Sequence, residues 1–176
     1  MNATVPIEST PIFRWPVSMT RKIAAPPERV WDVIASLGNC AYCHPFCEKN
    51  PVERWPGAGA RDAVHYYSGL VYERNFTGWF EGVGYDIEVG RKHGRTSSVS
   101  WRIRPEADAE SSLTITIKSH AYQHLPRVLR WFPYHFYLRP MLKSYLSAVL
   151  KGFEYYVVTG QPVQRNQFGS HPFFSP

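Results

Sequence analysis

Cysteine, histidine and arginine carry most of the chemistry this chain could do, and their spacing narrows what that is. Cys40, Cys43, His44 and Cys47 stand close together and contain a Cys-x-x-Cys-His string. That string is the attachment pattern of c-type haem. Haem attachment needs export, and Met1 to Arg14 lacks a basic start followed by an apolar run, so no secretory signal is read there and the expected location is cytoplasmic. Three thiolates and an imidazole would also suit zinc. Pro45 interrupts the cluster, however, and no second ligand pair stands elsewhere. The expectation is therefore no metal and no cofactor, with the cysteines packed as small apolar residues. An odd number of cysteines also argues against a disulfide framework. His120 and His124 are four apart, but Pro126 and the preceding strand pattern take them off a helix, and ordinary hydrogen-bonded histidines are expected.

Arg74 and His65 are the weak candidates for catalysis. Along Leu70 to Phe80, one face carries Leu70, Tyr72, Arg74, Phe76 and Phe80, and the other Val71, Glu73, Asn75, Thr77 and Trp79. The first face is more apolar and is expected to point inward. Arg74 would then need a partner: a structural one such as Asp86 or Glu88, or a ligand anion or carbonyl. His65 shares a face with Ala63 and Tyr67, and the pattern leaves open whether that face looks inward. Were both inside, they could polarise a carbonyl for an aldol cyclisation or dehydration.

Tyr122 to Arg139 interleaves Trp131, Phe132, Tyr134, Phe136 and Tyr137 with Arg127, Arg130, His135 and Arg139. The first reading is a lid packed over one end of the fold. The alternative is peripheral membrane contact through Trp131, Phe132 and Tyr134. Nucleic-acid stacking would need the same residue types, but no nucleic-acid partner is expected. Net charge is +6, and the longest acid-free stretch lies between Glu110 and Glu154. No apolar run approaches the ~20 residues of a membrane span. Phosphate loops, nucleotide fingerprints and nucleophile elbows are missing.

These residues must be positioned by a simple order of elements. Val17 to Ile23 reads as a strand. Pro26 and Pro27 break it and start a helix, with Val30, Val33, Ile34 and Leu37 at helical spacing and Gly38 as its stop. Asn39 is the expected N-cap of a second short helix. Six or so strands follow, with Tyr85 to Val89, Val99 to Ile103 and Leu113 to Ile117 alternating strictly, and Pro105 to Ser111 as an acidic loop. From Leu138 to Val157 an i, i+3, i+4, i+7 pattern gives one long helix, ended by Gly160. The expected division is an extended arm over 1–15, one domain over 16–160, and a tail over 161–176.

The order of the Ala-Pro-Pro-Glu-Arg-Val-Trp opening, His44-Pro45, the Trp55-Pro-Gly turn and the terminal helix before Thr159-Gly160 resembles the START/Bet v1-like superfamily, also called SRPBCC or polyketide cyclase/dehydrase-like. The resemblance spans about residues 17–160. It implies an α+β helix-grip fold, a curved antiparallel sheet wrapped around a long C-terminal helix with a cavity between them. It implies binding of a hydrophobic or amphipathic small molecule (lipid, sterol-like, polyketide or aromatic), with a polyketide cyclase or dehydratase on the same cavity as the alternative. The expected lining residues are Tyr72, Arg74, Phe76, Tyr85, Ile87, Trp101, Leu142, Tyr145, Leu146 and Val149. A third alternative is a membrane or protein-interaction module working through residues 124–139. The family has no universal catalytic motif to carry over.

Overall fold

Alternation along the strands and one long apolar helix face leave a single economical solution, in which a sheet covers the helix on one side. The computed structural model, which describes residues 15–122 and 125–176, has that arrangement. The arm before Trp15, His124 and the Arg127 side chain lie outside the described residues. The strands are β1 Val17–Ile23, β2 Cys47–Lys49, β3 Val52–Arg54, β4 Arg61–Tyr66, β5 Val71–Phe80, β6 Gly84–Gly90, β7 Thr96–Ala107 and β8 Glu110–Lys118. They pair antiparallel in the order β1-β8-β7-β6-β5-β4-β2, with β3 also on β4. The short β2 and β3 lie within a stretch the alternation did not resolve into strands. The segment 105–111 is not an open loop: β7 and β8 run on into it and pair Pro105 with Ser111 and Ala107 with Glu110.

Two short helices, α1 Pro27–Ile34 and α2 Cys40–Cys43, follow β1. Pro27 sits in the first turn of α1, where no N–H is needed, and Val30, Trp31, Val33 and Ile34 are buried. Asn39 precedes α2 but does not cap it with its side chain. The cap comes from further away: the Cys40 N–H donates to Asn50 Oδ1 at 3.1 Å.

The last helical stretch has three parts, α3 Arg127–Pro133, a π-helical turn Tyr134–Leu138 and α4 Arg139–Thr159. Two prolines explain the turn. Pro133 and Pro140 offer no N–H, and the Arg139 N–H reaches back five residues to the Tyr134 carbonyl. Gly160, at φ 69°, ends α4 with its N–H on the Tyr156 carbonyl. α4 passes so close to α2 that a Cβ at Gly152 would meet the Cys43 carbonyl oxygen at 2.1 Å. Only glycine fits that crossing. Arg21 of β1 pairs with Glu154 on α4, tying the helix to the sheet edge. Among the described residues no helix is long and apolar enough to cross a membrane.

Candidate functional site: a cavity between the sheet and the long helix

A cavity of about 580 Å³ lies between α4 and the concave face of the sheet. Inward positions of β4 to β8 form one wall, and Leu142, Tyr145, Leu146 and Val149 of α4 form the other. Of the expected lining residues, Tyr72, Arg74, Ile87, Trp101, Leu142, Tyr145, Leu146 and Val149 do line it. Phe76 and Tyr85 do not. They face the same way but lie deeper, where Phe76, Trp79, Tyr85 and Trp101 pack ring on ring at 5.0–5.8 Å. Phe80 also departs from expectation and is exposed. A bulge between Phe76 and Gly78 reverses the alternation there, so Trp79 turns inward and Phe80 outward.

His65 is not in the cavity. On β4 the buried positions are Asp62, Val64 and Tyr66, which puts His65 on the outer face. Arg74 does point inward and is buried, and its partner is Asp62 rather than Asp86 or Glu88. The two stand directly opposite each other on β4 and β5. The guanidinium Nε donates to Asp62 Oδ1 at 2.6 Å, and Nη2 donates to Oδ2. Burial works against the Arg74 charge, but the Asp62 carboxylate paired to it outweighs that and holds the group protonated. Asp86 instead takes Arg102 at 2.7 Å.

The polar centre of the cavity joins Tyr145, an expected lining residue, to His44 and Tyr66, which the sequence pattern does not single out for this role. His44 Nε2 is 2.9 Å from the Tyr145 hydroxyl, which is 2.9 Å from the Tyr66 hydroxyl. The Phe46 N–H donates to His44 Nδ1 at 3.1 Å, which assigns the proton of the neutral ring to Nε2. Burial first, and the positive Arg74 second, push the His44 pKa down to about 3, so the ring is neutral at physiological pH. Burial likewise raises both tyrosines, which stay protonated. The protons can then be counted. His44 Nε2–H, Tyr145 O–H and Tyr66 O–H are three donors, and the two contacts between them use two. One hydroxyl proton is left to point at whatever fills the cavity.

Cys40, Cys43 and Cys47 are buried free thiols, and burial raises the pKa of each, Cys40 to about 11. Cys47 Sγ donates to the Lys49 carbonyl, and both nitrogens of His44 are already engaged. Among the described residues no three His, Cys, Asp or Glu side chains converge as metal ligands. His120 contacts Ser97 Oγ at 2.9 Å.

Residues 161–176 fold back on the domain, and Phe173 and Phe174 reach the cavity wall. The Val163 and Asn166 N–H groups donate to the Tyr42 and Pro45 carbonyls, and Ser68 N–H to the Phe174 carbonyl. Phe174 is buried, with its ring 4.6 Å from Tyr66 and 4.7 Å from Tyr145. His171 repeats the geometry of His44: the Phe173 N–H donates to its Nδ1, and Nε2 faces the Met141 carbonyl. A sequence signal for this exists. His44-Pro45-Phe46 and His171-Pro172-Phe173 are the same tripeptide, with a proline that lacks a donor and a following N–H that turns back on the imidazole. The two copies meet, Phe46 lying 5.6 Å from the His171 ring.

No curated protein matches the chain by sequence. Many solved structures share its fold. DynU16, from the dynemicin biosynthetic locus, aligns with a TM-score of 0.64 at 16% identity over 86% of this chain and 51% of its own, so this chain spans about half its length. A START superfamily protein from Mycobacterium smegmatis aligns with a TM-score of 0.63 at 15% identity, over 83% and 99% of the two chains. TTHA0849 from Thermus thermophilus aligns with a TM-score of 0.59 at 20% identity, over 83% and 99%. At such identities these likenesses speak for the fold alone. A family model described as polyketide cyclase / dehydrase and lipid transport matches residues 14–157, most of the chain and all of the strands that build the cavity. The chain therefore belongs to that family.

Proposed function

We propose that the protein binds a hydrophobic small molecule bearing an acceptor oxygen, such as a ketone, enone or quinone carbonyl. The observation that carries this is the unused hydroxyl proton of the Tyr66–Tyr145 pair in an otherwise largely apolar cavity. An apolar wall supplies affinity, and one placed donor supplies orientation. A volume of about 580 Å³ suits a molecule of drug or lipid-fragment size.

Binding is favoured over cyclase or dehydratase turnover because the two buried groups best placed for acid–base work are occupied. His44 has no free lone pair, and Arg74 is committed to Asp62. The test is to purify the protein under native conditions, denature it, and identify the released small molecules by mass spectrometry. A stoichiometric apolar carbonyl compound is expected. A protein that releases nothing, and that converts a poly-β-ketone analogue, would replace this reading with the enzymatic one. Three unpaired thiols fit a reducing compartment, and a cytoplasmic location is our reading.

A second reading concerns residues 127–138. The segment lies in the stretch 124–139 expected as a lid, and among its described residues only Tyr134 and Leu138 are buried. We infer that its outer face is a contact surface, since Trp131, Phe132, Phe136 and Tyr137 are exposed together.

A further inference from the structure

We propose that α3 and the π-helical turn dock on an anionic lipid bilayer, and that the cavity opens directly onto that bilayer. This names the partner of the contact surface and rests on the reading of the cavity as a hydrophobic ligand site.

The segment is amphipathic in an unusual sense: its outward face is apolar. Val128 is 87% exposed, Phe132 64% and Phe136 62%, with Leu129, Trp131 and Tyr137 also in solvent. An apolar patch this continuous is costly to leave in water. Tyr134, one of the residues expected to touch a membrane, is instead buried and donates its hydroxyl to the Trp15 carbonyl. It anchors the segment from beneath, and the contact residues are its neighbours on the other side.

Charge points to the occupant. No acid stands between Glu110 and Glu154, and Arg139 and Lys143 flank the aromatic face in solvent. The β6–β7 turn adds exposed Arg91, Lys92 and Arg95, and Arg91 and Arg95 lie on the cavity rim. A second copy of this chain would bring an equally basic face against it, and like charges would oppose that pairing. An anionic bilayer meets both demands at once: it buries the aromatics in its interfacial zone and pairs its headgroups with the bases.

Geometry then links the surface to the site. Tyr137 and Phe173 are both exposed, both line the cavity, and their rings are 6.3 Å apart. The docking face and the cavity mouth are thus one continuous apolar surface. An apolar ligand could pass between bilayer and cavity without crossing water.

The experiment is co-sedimentation of the full chain with phosphatidylglycerol vesicles and with phosphatidylcholine vesicles. Binding to the first should exceed binding to the second about tenfold, and should weaken as salt is raised. The triple variant Trp131→Ser, Phe132→Ser, Phe136→Ser changes only exposed side chains and should lose about tenfold or more of the vesicle binding. No sedimentation of folded protein with either vesicle would overturn the proposal. So would undiminished binding by the triple variant, or a solution dimer that the triple variant dissolves, which would make a second copy the occupant. The cavity is read separately with 8-anilinonaphthalene-1-sulfonate on the triple variant, comparing it with the same variant carrying Val99→Phe. Dye binding lost only with Val99→Phe, without vesicle binding, means that docking fails and the ligand reading stands. Vesicle binding without a Val99-sensitive dye site means the reverse.

Discussion

At the end of the grip beneath α1, the paired inward residues of β6 and β7 are Tyr85 and Trp101. Two residues along the same strands the pair is Ile87 and Val99, and two further on it is Val89 and Ser97. Side-chain size falls with each row, and the cavity begins where the rings stop. In the filled end Trp31 and Trp79 both donate to Glu81, at 3.1 and 3.0 Å, and Trp55 donates to the Ala35 carbonyl at 3.0 Å. These three indoles have their partners, whereas the buried Tyr85 hydroxyl has none among the described residues. In the hollow end three donors share two contacts. The same sheet and helix thus make a rigid floor at one end and a receptive space at the other. The difference is made by side-chain volume, helped by the β5 bulge that turns Trp79 into the filled end.

The largest expected effect tests the floor. Phe76→Ala should cost about 3–5 kcal/mol in urea unfolding, because the surrounding rings cannot collapse into the space. A loss below about 1 kcal/mol would mean that the packed end is as forgiving as the hollow one. The next effect concerns His44 and pH. Its folded pKa, about 3, lies below the ordinary value of about 6.5, so the unfolded chain takes up the proton first. The stability it contributes is whole above about pH 6.5 and is lost as pH falls from there toward 3. Between pH 7 and pH 5 the native protein should lose about 2 kcal/mol more than His44→Gln, following the slope of about 1.4 kcal/mol per pH unit. His120 and His171, also lowered by burial, act in the same direction and remain in both proteins. Equal acid sensitivity would show that His44 is not the group kept neutral.

A smaller effect on stability, with a large one on binding, is expected from Val99→Phe. Overpacking a filled core costs about 1–3 kcal/mol. Here the added ring enters empty space, so the midpoint in urea should scarcely move while apolar ligands are excluded. A cost in the full overpacking range would mean that the space is not available to a ligand.

The element order and the inward faces were legible because periodicity survives burial. β1, α1, β6 and α4 fall where alternation and helical spacing put them. Depth was not legible: Phe76 and Tyr85 share a face with Arg74 and Ile87, and alternation cannot say which end of a strand is filled. Nor could it foresee the Phe76–Gly78 bulge that turns Phe80 outward. His44 was visible as a ligand type but not as a cavity residue, because its partner Tyr145 is a hundred residues away and only the docking of α2 on α4 brings them together. Arg74 was read correctly as needing a partner. The partner was missed because it stands on the neighbouring strand that turns back, not on the strands further along.

The two tyrosines have separable effects, and these bear most directly on the proton count. Tyr145 sits in the middle of the chain of contacts. Tyr145→Phe leaves the His44 Nε2–H buried without an acceptor and also frees Tyr66, so it should cost about 1–3 kcal/mol of stability. Tyr66 is at the end of the chain. Tyr66→Phe removes one contact but leaves His44 satisfied, and should cost about 0.5–1.5 kcal/mol at most. Ligand affinity should respond differently. With Tyr66→Phe the Tyr145 hydroxyl still accepts from His44 and can turn its own proton to the ligand, so an acceptor-bearing ligand should weaken by less than about tenfold. Removing both hydroxyls alone would hand their role to the freed His44 Nε2–H, so the decisive protein is the triple variant His44→Phe, Tyr66→Phe, Tyr145→Phe, which keeps none of the three donors. It should lose the preference for a carbonyl compound over its hydrocarbon analogue, which calorimetry with the matched pair would read. If that preference persists in this triple variant, the orienting donor lies elsewhere on the cavity wall, and the contrast between a filled floor and a receptive end would have to be redrawn around it.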